Sequence, residues 1–331
     1  MSAWRAAAAQ LYGAGWELRR RLYAAGALKP RSVSARVVSI GNLTVGGTGK
    51  TTLALHLGRQ LASSGADFAI VCRRYRPGPG GRGDEELMYA AAFGEARVYA
   101  GTSKRALAAR AAAEGRRVVL VDDGFSHWAL ERDLDLVLLD AHDPWGGGHL
   151  LPHGRMREPR RAVQRADHVV LTRLAPDDDA GARIAAVRAW APGARFAAGR
   201  HAVRGVRPLG AEAPNRVPER GEVRAEGMRA GRAWLVTATG DPRAVERTAR
   251  EAGIELAGTS RYRDHHWFRH AEVRAEERRA RAAGASVLLT PKDAVRWPAG
   301  APANVLHVAW EWVAGGAELE RAVLGEGGGG P

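Results

Sequence analysis

The stretch S39-I-G-N-L-T-V-G-G-T-G-K-T-T-L-A-L55 decides how this chain is read. A phosphate-binding loop asks for Gly, four residues, then Gly-Lys-[Ser/Thr]. Gly49, Lys50 and Thr51 supply the end of that pattern, while Thr44 stands where its first glycine belongs. The run V45-G-G-T-G-K-T51 follows a variant of the loop in which the paired Gly46 and Gly47 make the tight turn. The apolar residues 37–40 precede it and a helical pattern over 51–61 follows, so the loop joins a strand to a helix, the context such a site demands. In that setting backbone N–H groups and the positive end of the helix face the phosphates, Lys50 reaches the β- and γ-phosphates, and the Thr51 hydroxyl serves Mg²⁺. Thr44, Val45, Gly46, Gly47, Thr48, Gly49, Lys50, Thr51 and Thr52 are the expected nucleotide contacts. An ordinary glycine turn, the plain alternative, needs no Lys-Thr pair at a helix start.

Working outward, the same rhythm of strand and helix continues. Further β-like runs fall at 68–72, 118–121, 134–140, 168–172, 233–237, 287–290 and 305–308, many separated by Ala/Arg/Glu-rich helical stretches. Alternation of this kind predicts an α/β fold of the P-loop NTPase type: a mainly parallel sheet with helices on both faces, plus a smaller C-terminal α/β part. The expected organisation is an amphipathic membrane-associating helix over 1–28, a P-loop domain over 29–204, a Gly/Pro/Arg-rich linker over 205–231, a smaller α/β domain over 232–324 and a disordered tail over 325–331.

In the first segment Trp4, Ala8, Leu11, Gly15, Leu18 and Leu22 recur at spacings of three and four, which aligns them on one helix face. Arginines flank the stripe, and Tyr12, Trp16 and Tyr23 add amphipathic aromatics, so the helix suits a membrane surface; packing against its own domain is the alternative.

The chain has 331 residues and 45% apolar content, enough for two ordinary domains with real cores. A net charge of +14 favours polyanionic surfaces or phosphorylated substrates. Nearly all the positive charge is arginine, lysine being confined to Lys29, Lys50, Lys104 and Lys292, so Lys50 in the loop is hard to ascribe to chance. With Cys72 as its one cysteine, the chain can build neither an internal disulfide nor a cysteine metal site. It shows no apolar run of the roughly 18 residues that a membrane span requires, and no signal-peptide pattern. Aromatic content of 6% without a basic-aromatic stacking motif argues against nucleic acid as partner.

Mg²⁺ needs hard oxygen ligands, so a second strand should end in acid. V118-V-L-V-D-D-G124 does so and presents Asp122 and Asp123, although Asp-Gly is also a plain turn. G83-D-E-E86 follows the glycine-rich run 76–82; Asp84 there is a candidate proton acceptor or, equally, a helix N-cap with Glu85 and Glu86 in the first turn. Downstream, R261-Y-R-D-H-H-W-F268 gathers an acid and two histidines, a His–Asp pair that tunes a general base or a buried, satisfied histidine. Zinc is a poorer fit, because no third ligand spacing appears.

Together these pieces resemble the tetraacyldisaccharide 4'-kinase family, the lipid A pathway kinases of Gram-negative bacteria. The resemblance rests on G41-N-L-T-V-G-G-T-G-K-T51, Arg74-Tyr75, G83-D-E85, V121-D-D-G-F-S-H127, R132-D-L-D-L-V-L-L-D140, Leu150-Leu151-Pro152, Arg157-Glu158-Pro159, L171-T-R173, D264-H-H266 and L289-T-P-K-D293, all in family order. It implies transfer of the ATP γ-phosphate to the 4'-hydroxyl of a tetraacyldisaccharide 1-phosphate on the cytoplasmic face of the inner membrane. By it Asp84 is the catalytic base and His265 its partner. Glu85, Asp122 and Asp123, with Thr51, are the metal and transition-state group, and Tyr75, Arg105 and Arg173 are secondary contacts to nucleotide or substrate. It also implies ATP and Mg²⁺ as cofactors, a lipid substrate, an anionic inner-membrane surface as partner, and a monomer. Ser126 departs from the family's usual Gln, Arg263 from the Pro that precedes Asp-His, Pro291 from the Glu before Lys-Asp, and Thr52 from a common Pro. The rival class is a membrane-associated regulatory P-loop ATPase, which would hydrolyse ATP slowly without an acceptor; its loop commonly carries Lys at the position of Val45.

Overall fold

The computed structural model describes residues 3–210 and 231–325. In chain order its elements are α1 (Ala3–Ala24), β1 (Arg36–Asn42), α2 (Lys50–Ser63), β2 (Phe68–Arg73), α3 (Asp84–Phe93), β3 (Val98–Gly101), α4 (Lys104–Ala113), β4 (Val118–Asp122), β5 (Leu134–Asp140), β6 (His168–Thr172), α5 (Ala180–Arg188) and β7 (Arg195–Pro208). There follow β8 (Arg232–Thr237), α6 (Pro242–Glu251), β9 (Glu255–Arg261), α7 (His270–Ala282), β10 (Ser286–Leu289), α8 (Pro291–Ala294), β11 (Asn304–Ala314) and α9 (Gly316–Leu324).

The chain divides into two compact units, neither of them contiguous. Residues 1–73, 99–200 and 311–331 make the first, and 74–98 with 201–310 the second. The boundaries expected from the sequence fall at single points along the chain. The structure instead groups 74–98, with α3, in the unit formed by much later residues, and carries the chain across at four places. The expected linker 205–231 begins inside β7, which runs to Pro208; its stretch 211–230 and the tail beyond Gly325 lie outside the described residues.

In the first unit the strand order is β3-β2-β4-β1-β5-β6-β7. The pairs β2·β4, β4·β1, β1·β5, β5·β6 and β6·β7 are parallel, so the expected α/β class holds. β1 lies between β4 and β5, where the connections turn in opposite directions, and the loop that follows it sits at that switch point, where such sheets bind ligands. Register brings the acids there too. Ile40 pairs with Asp122, Asn42 with Leu138, and Asp140 with Thr172, so β1, β4, β5 and β6 end at one edge. β4 reads VVLVD because it is covered on both faces, all five residues being buried. Two apolar clusters hold this sheet, one around Val37, Ala69, Val119 and Leu130, the other around Leu43, Phe125, Val137 and Leu171.

The second unit orders its strands β11-β10-β8-β9 with β10·β11, β8·β10 and β8·β9 parallel. Its cores gather Val236, Phe268, Val273, Leu289 and Trp297 on one side and Val206, Leu235, Leu288 and Leu306 on the other.

Three strands escape the sequence pattern. β7 is RFAAGRHAVRGVRP, arginine-rich because much of it is only partly buried; β9 is an end strand with no fully buried residue; β3 is four residues long. Without two covered faces, none had to be an apolar run.

Candidate active site

In the first unit the glycine loop opens α2 as expected. Gly46 and Gly49 take φ of 114° and 89°, backbone that a side chain would strain. Gly49 is the N-cap of α2, no side chain caps the helix, and its first turn holds no acid. The positive helix end is therefore left for an anion. The buried Thr48 hydroxyl has no hydrogen-bond partner among the described residues, and a phosphate oxygen would supply one.

Lys50 donates to Asn42 Oδ1 at 2.9 Å and lies 3.6 Å from Asp123 Oδ1. Arg157 grips Asp123 with two bonds of 2.9 and 2.7 Å, and also donates to the carbonyl and side-chain oxygens of Asn42. Lys104 donates to the Asp123 carbonyl at 2.5 Å. Burial would raise the Asp123 carboxyl, but Lys50, Arg157 and Lys104 outweigh it and hold the group well below the usual carboxylate range. Arg173 bridges Asp140 Oδ2, at 2.8 Å, to the carbonyl of Gly47.

Asp123 is thus committed to cations, which leaves Asp122 and the Thr51 hydroxyl as the donors best suited to Mg²⁺. Among the described residues no group of three or more His, Cys, Asp and Glu could hold a metal. A cation that keeps its waters and leans on substrate phosphates fits that donor set; a protein cage does not.

In the second unit the dyad expected from the sequence is present: His265 Nδ1 and Asp84 Oδ2 are 2.8 Å apart. Asp84 is not the N-cap of α3. Gly83 holds that position and Glu86 caps the Gly83 N–H at 3.2 Å, which frees the Asp84 side chain for His265. Lys292 Nζ stands 3.8 Å from Asp84 Oδ2, 3.5 Å from Glu85 Oε1 and 3.4 Å from His265 Nε2. Arg296 Nη1 is 3.5 Å from the same Asp84 oxygen, and its Nη2 bonds Asp293 at 2.6 Å, both side chains being fully buried. Burial pushes Asp84 up, yet the His265 bond and the Lys292 and Arg296 charges prevail and hold it below the ordinary carboxylate. Burial likewise opposes charge on Lys292, but Glu85, Asp84 and Asp264 outweigh it and raise that amine. The two adjacent histidines diverge, His266 turning to Glu272 at 3.0 Å.

Asp123, Arg173 and His265 have φ of 52°, 64° and 63°, left-handed backbone uncommon for residues with side chains. Three of the expected site residues thus share a conformation that tends to cluster at functional sites.

The remaining expectations divide. Tyr75 stacks edge-on against His265 at 5.1 Å and so belongs with the dyad in the second unit. Arg105 is exposed on α4, and it is the neighbouring Lys104 that reaches Asp123. Glu85 sits beside Lys292 in the second unit. Two of the departures are absorbed: Ser126 donates to Glu158 at 2.6 Å, and Pro291 occupies the first turn of α8, where proline is at home. Sequence reading gave no role to Asn42, Lys104, Arg157, Lys292 and Arg296. Lysine scarcity was the available signal for two of them, since three of the four lysines stand in these constellations.

A family model described as Tetraacyldisaccharide-1-P 4'-kinase matches residues 1–325. The chain belongs to this family. The tetraacyldisaccharide 4'-kinase of Anaeromyxobacter sp. (strain Fw109-5) is 36% identical over 310 residues, 86% of this chain and 80% of the relative. That of Anaeromyxobacter sp. (strain K) is 38% identical over 331 residues, 92% of this chain and 85% of the relative. Among solved structures, LpxK from Aquifex aeolicus, crystallised in complex with ATP, matches with a TM-score of 0.69 over 96% of each chain at 24% identity, which shows the fold. The reaction class of this family is phosphoryl transfer.

Proposed function

We propose that this chain is the ATP-dependent kinase that phosphorylates the 4'-hydroxyl of tetraacyldisaccharide 1-phosphate in lipid A biosynthesis. The observation that carries this reading is the Asp84–His265 pair at 2.8 Å, a proton acceptor that a regulatory ATPase would not need. The loop N–H groups, Lys50 and the Thr48 hydroxyl hold the ATP phosphates. Thr51 and Asp122 would hold Mg²⁺, which when bound would neutralise phosphate charge. Arg157 and Lys104 fix Asp123 so that it orders Lys50. Asp84, kept ionised and oriented by His265, accepts the 4'-hydroxyl proton as the sugar oxygen bonds to the γ-phosphorus and the bond to ADP breaks. No covalent phospho-enzyme is required. Lys292 and Arg296 keep Asp84 anionic until that moment.

The lipid is met at a bilayer surface. Trp4, Leu11 and Leu18 on α1 are 62%, 76% and 60% exposed, so the stripe expected from the sequence faces outward, while Tyr12, Trp16 and Tyr23 turn to the protein. No described helix is long and apolar enough to cross a membrane. The exposed stripe supports interfacial seating of α1, which we place on the cytoplasmic face of the inner membrane. The basic surface suits anionic lipid.

The test is transfer from γ-labelled ATP to tetraacyldisaccharide 1-phosphate in mixed micelles. Labelled lipid is the expected result; ATP hydrolysis with no labelled lipid would favour the regulatory ATPase.

A further inference from the structure

Helix α1 does more in the structure than present an apolar stripe. Its inner face lies on the two segments that build the nucleotide constellation of the first unit. Trp16 meets Trp128 edge-on at 5.9 Å and Tyr23 meets the same ring at 5.4 Å, on the loop that follows Asp122 and Asp123. Gly13 allows close approach to a second segment, for a Cβ there would lie 3.0 Å from Leu150 Cδ1. That explains a glycine which otherwise weakens the helix.

The polar contacts are more specific. Tyr12 donates its hydroxyl to the carbonyl of Arg157 at 2.8 Å, and Trp16 donates its indole N–H to Glu158 Oε2 at 3.0 Å. Glu158 is buried and also accepts from Ser126 at 2.6 Å and Arg165 at 2.8 Å. On its other side the dipeptide is fixed to the glycine loop: Arg157 N–H donates to Leu43 O at 2.6 Å, and Val45 N–H to Arg155 O at 2.7 Å. Arg157 is therefore pinned by the loop through its N–H and by α1 through its carbonyl, while its guanidinium clamps Asp123 and Asn42. Those two groups order Lys50.

We propose that Tyr12 and Trp16 are positioning residues for the nucleotide site, acting through the Arg157-Glu158 dipeptide to hold the Arg157 guanidinium on Asp123. Helix α1 is then part of the machinery that orders Lys50, and a chain without these two hydrogen bonds carries a looser clamp.

The inference rests on the reading of the loop as an ATP site, and a double-mutant cycle tests it. ATP with Mg²⁺ is titrated calorimetrically into wild type, Tyr12→Phe/Trp16→Phe, Arg157→Ala and the combined variant, with thermal midpoints recorded for each. Tyr12→Phe keeps the ring and removes only the donor, whereas Trp16→Phe also trims the indole that packs on Trp128. The pair is expected to weaken ATP binding about threefold to tenfold, the worth of one net hydrogen bond. In the Arg157→Ala background the same pair should change binding less than about 1.5-fold, because the clamp it acts through is gone. Equal losses in both backgrounds, or no loss in the wild-type background, would overturn the inference; a purely structural role lowers the thermal midpoint without this dependence on Arg157. Tyr12→Phe alone carries the same cycle should the double variant fail to fold. Wild type that binds no ATP would sink the ATP-site reading as well. Tight wild-type binding with equal losses sinks this inference alone, and the titration needs no lipid acceptor.

Discussion

The two constellations solve the same electrostatic problem in opposite ways. Each holds an aspartate below its ordinary range with a cluster of cations, Asp123 in the first unit and Asp84 in the second. Around Asp123 the cations are Lys50, Arg157 and Lys104, at a sheet edge where a phosphate can draw on the same charges. Around Asp84 the arginine is fully buried and already spent on Asp293, and the aspartate itself is buried. On the proposed reading the first cluster exchanges partners with a ligand, while the second keeps one carboxylate ionised and aimed at a histidine. Loss of charge should therefore weaken nucleotide binding in the first unit and the fold in the second.

The largest effect on stability should come from Arg296→Met, which leaves Asp293 buried and unpaired. A cost of about 3–5 kcal/mol follows from breaking a buried pair on one side. Urea unfolding measures it, and Arg296→Met/Asp293→Leu should recover much of the loss because no lone charge remains. If the single variant is as stable as wild type, the buried pair is not what distinguishes the second cluster.

Lys50→Ala should leave unfolding within about 0.5 kcal/mol, as a partly exposed side chain outside the core does. Its ATP affinity should fall roughly tenfold to a hundredfold, the range for a charged hydrogen bond. Calorimetry with ATP and Mg²⁺ checks this, and a large fall in stability instead would erase the contrast.

Acid sharpens it further. The folded pKa values of Asp84 and Asp123 lie below the ordinary 3.8, so both contribute stability that is present above that pH and lost as pH falls through their lowered values. Lys292→Met removes one of the charges that hold Asp84 down, so the acid limb of the stability curve should move to higher pH. A limb that stays in place, read from thermal midpoints between pH 2 and 6, would show that Lys292 does not set the charge on Asp84.

The smallest effect on the fold belongs to α1. Leu11→Gln/Leu18→Gln should change stability by no more than about 0.5 kcal/mol, since both side chains face outward. Sedimentation with anionic vesicles should nevertheless drop clearly, and unchanged binding would remove the stripe from the membrane reading.

What could be read in the sequence follows the same division. The glycine loop is contiguous, and a strand buried on both faces must be an apolar run, so β1, α2 and the acids after β4 were all legible. Asp84 and His265 each stand in a local cluster whose reading stays open, and it is the family resemblance that pairs them. Their joining with Lys292 and Arg296 was not legible, because chain segments 74–98 and 201–310 meet only in the fold. Arg157 was hidden for another reason: in a chain whose positive charge is nearly all arginine, one more arginine carries no signal, whereas a lysine does. The stripe on α1 was visible as periodicity, but which face the protein would cover was not. The docked face carries Tyr12, Trp16 and Tyr23, whose polar atoms and rings find specific partners.

On the proposed reading, nucleotide binding and proton acceptance are divided between the two constellations. This division is tested most directly by measuring ATP affinity and lipid phosphorylation side by side in Asp84→Asn and Lys50→Ala. Asp84→Asn should keep ATP affinity within about twofold while transfer falls about 10²–10⁴-fold, the contribution of a positioned base, and Lys50→Ala should lose both. Equal loss of ATP affinity in the two variants, or undiminished transfer by Asp84→Asn, would contradict it.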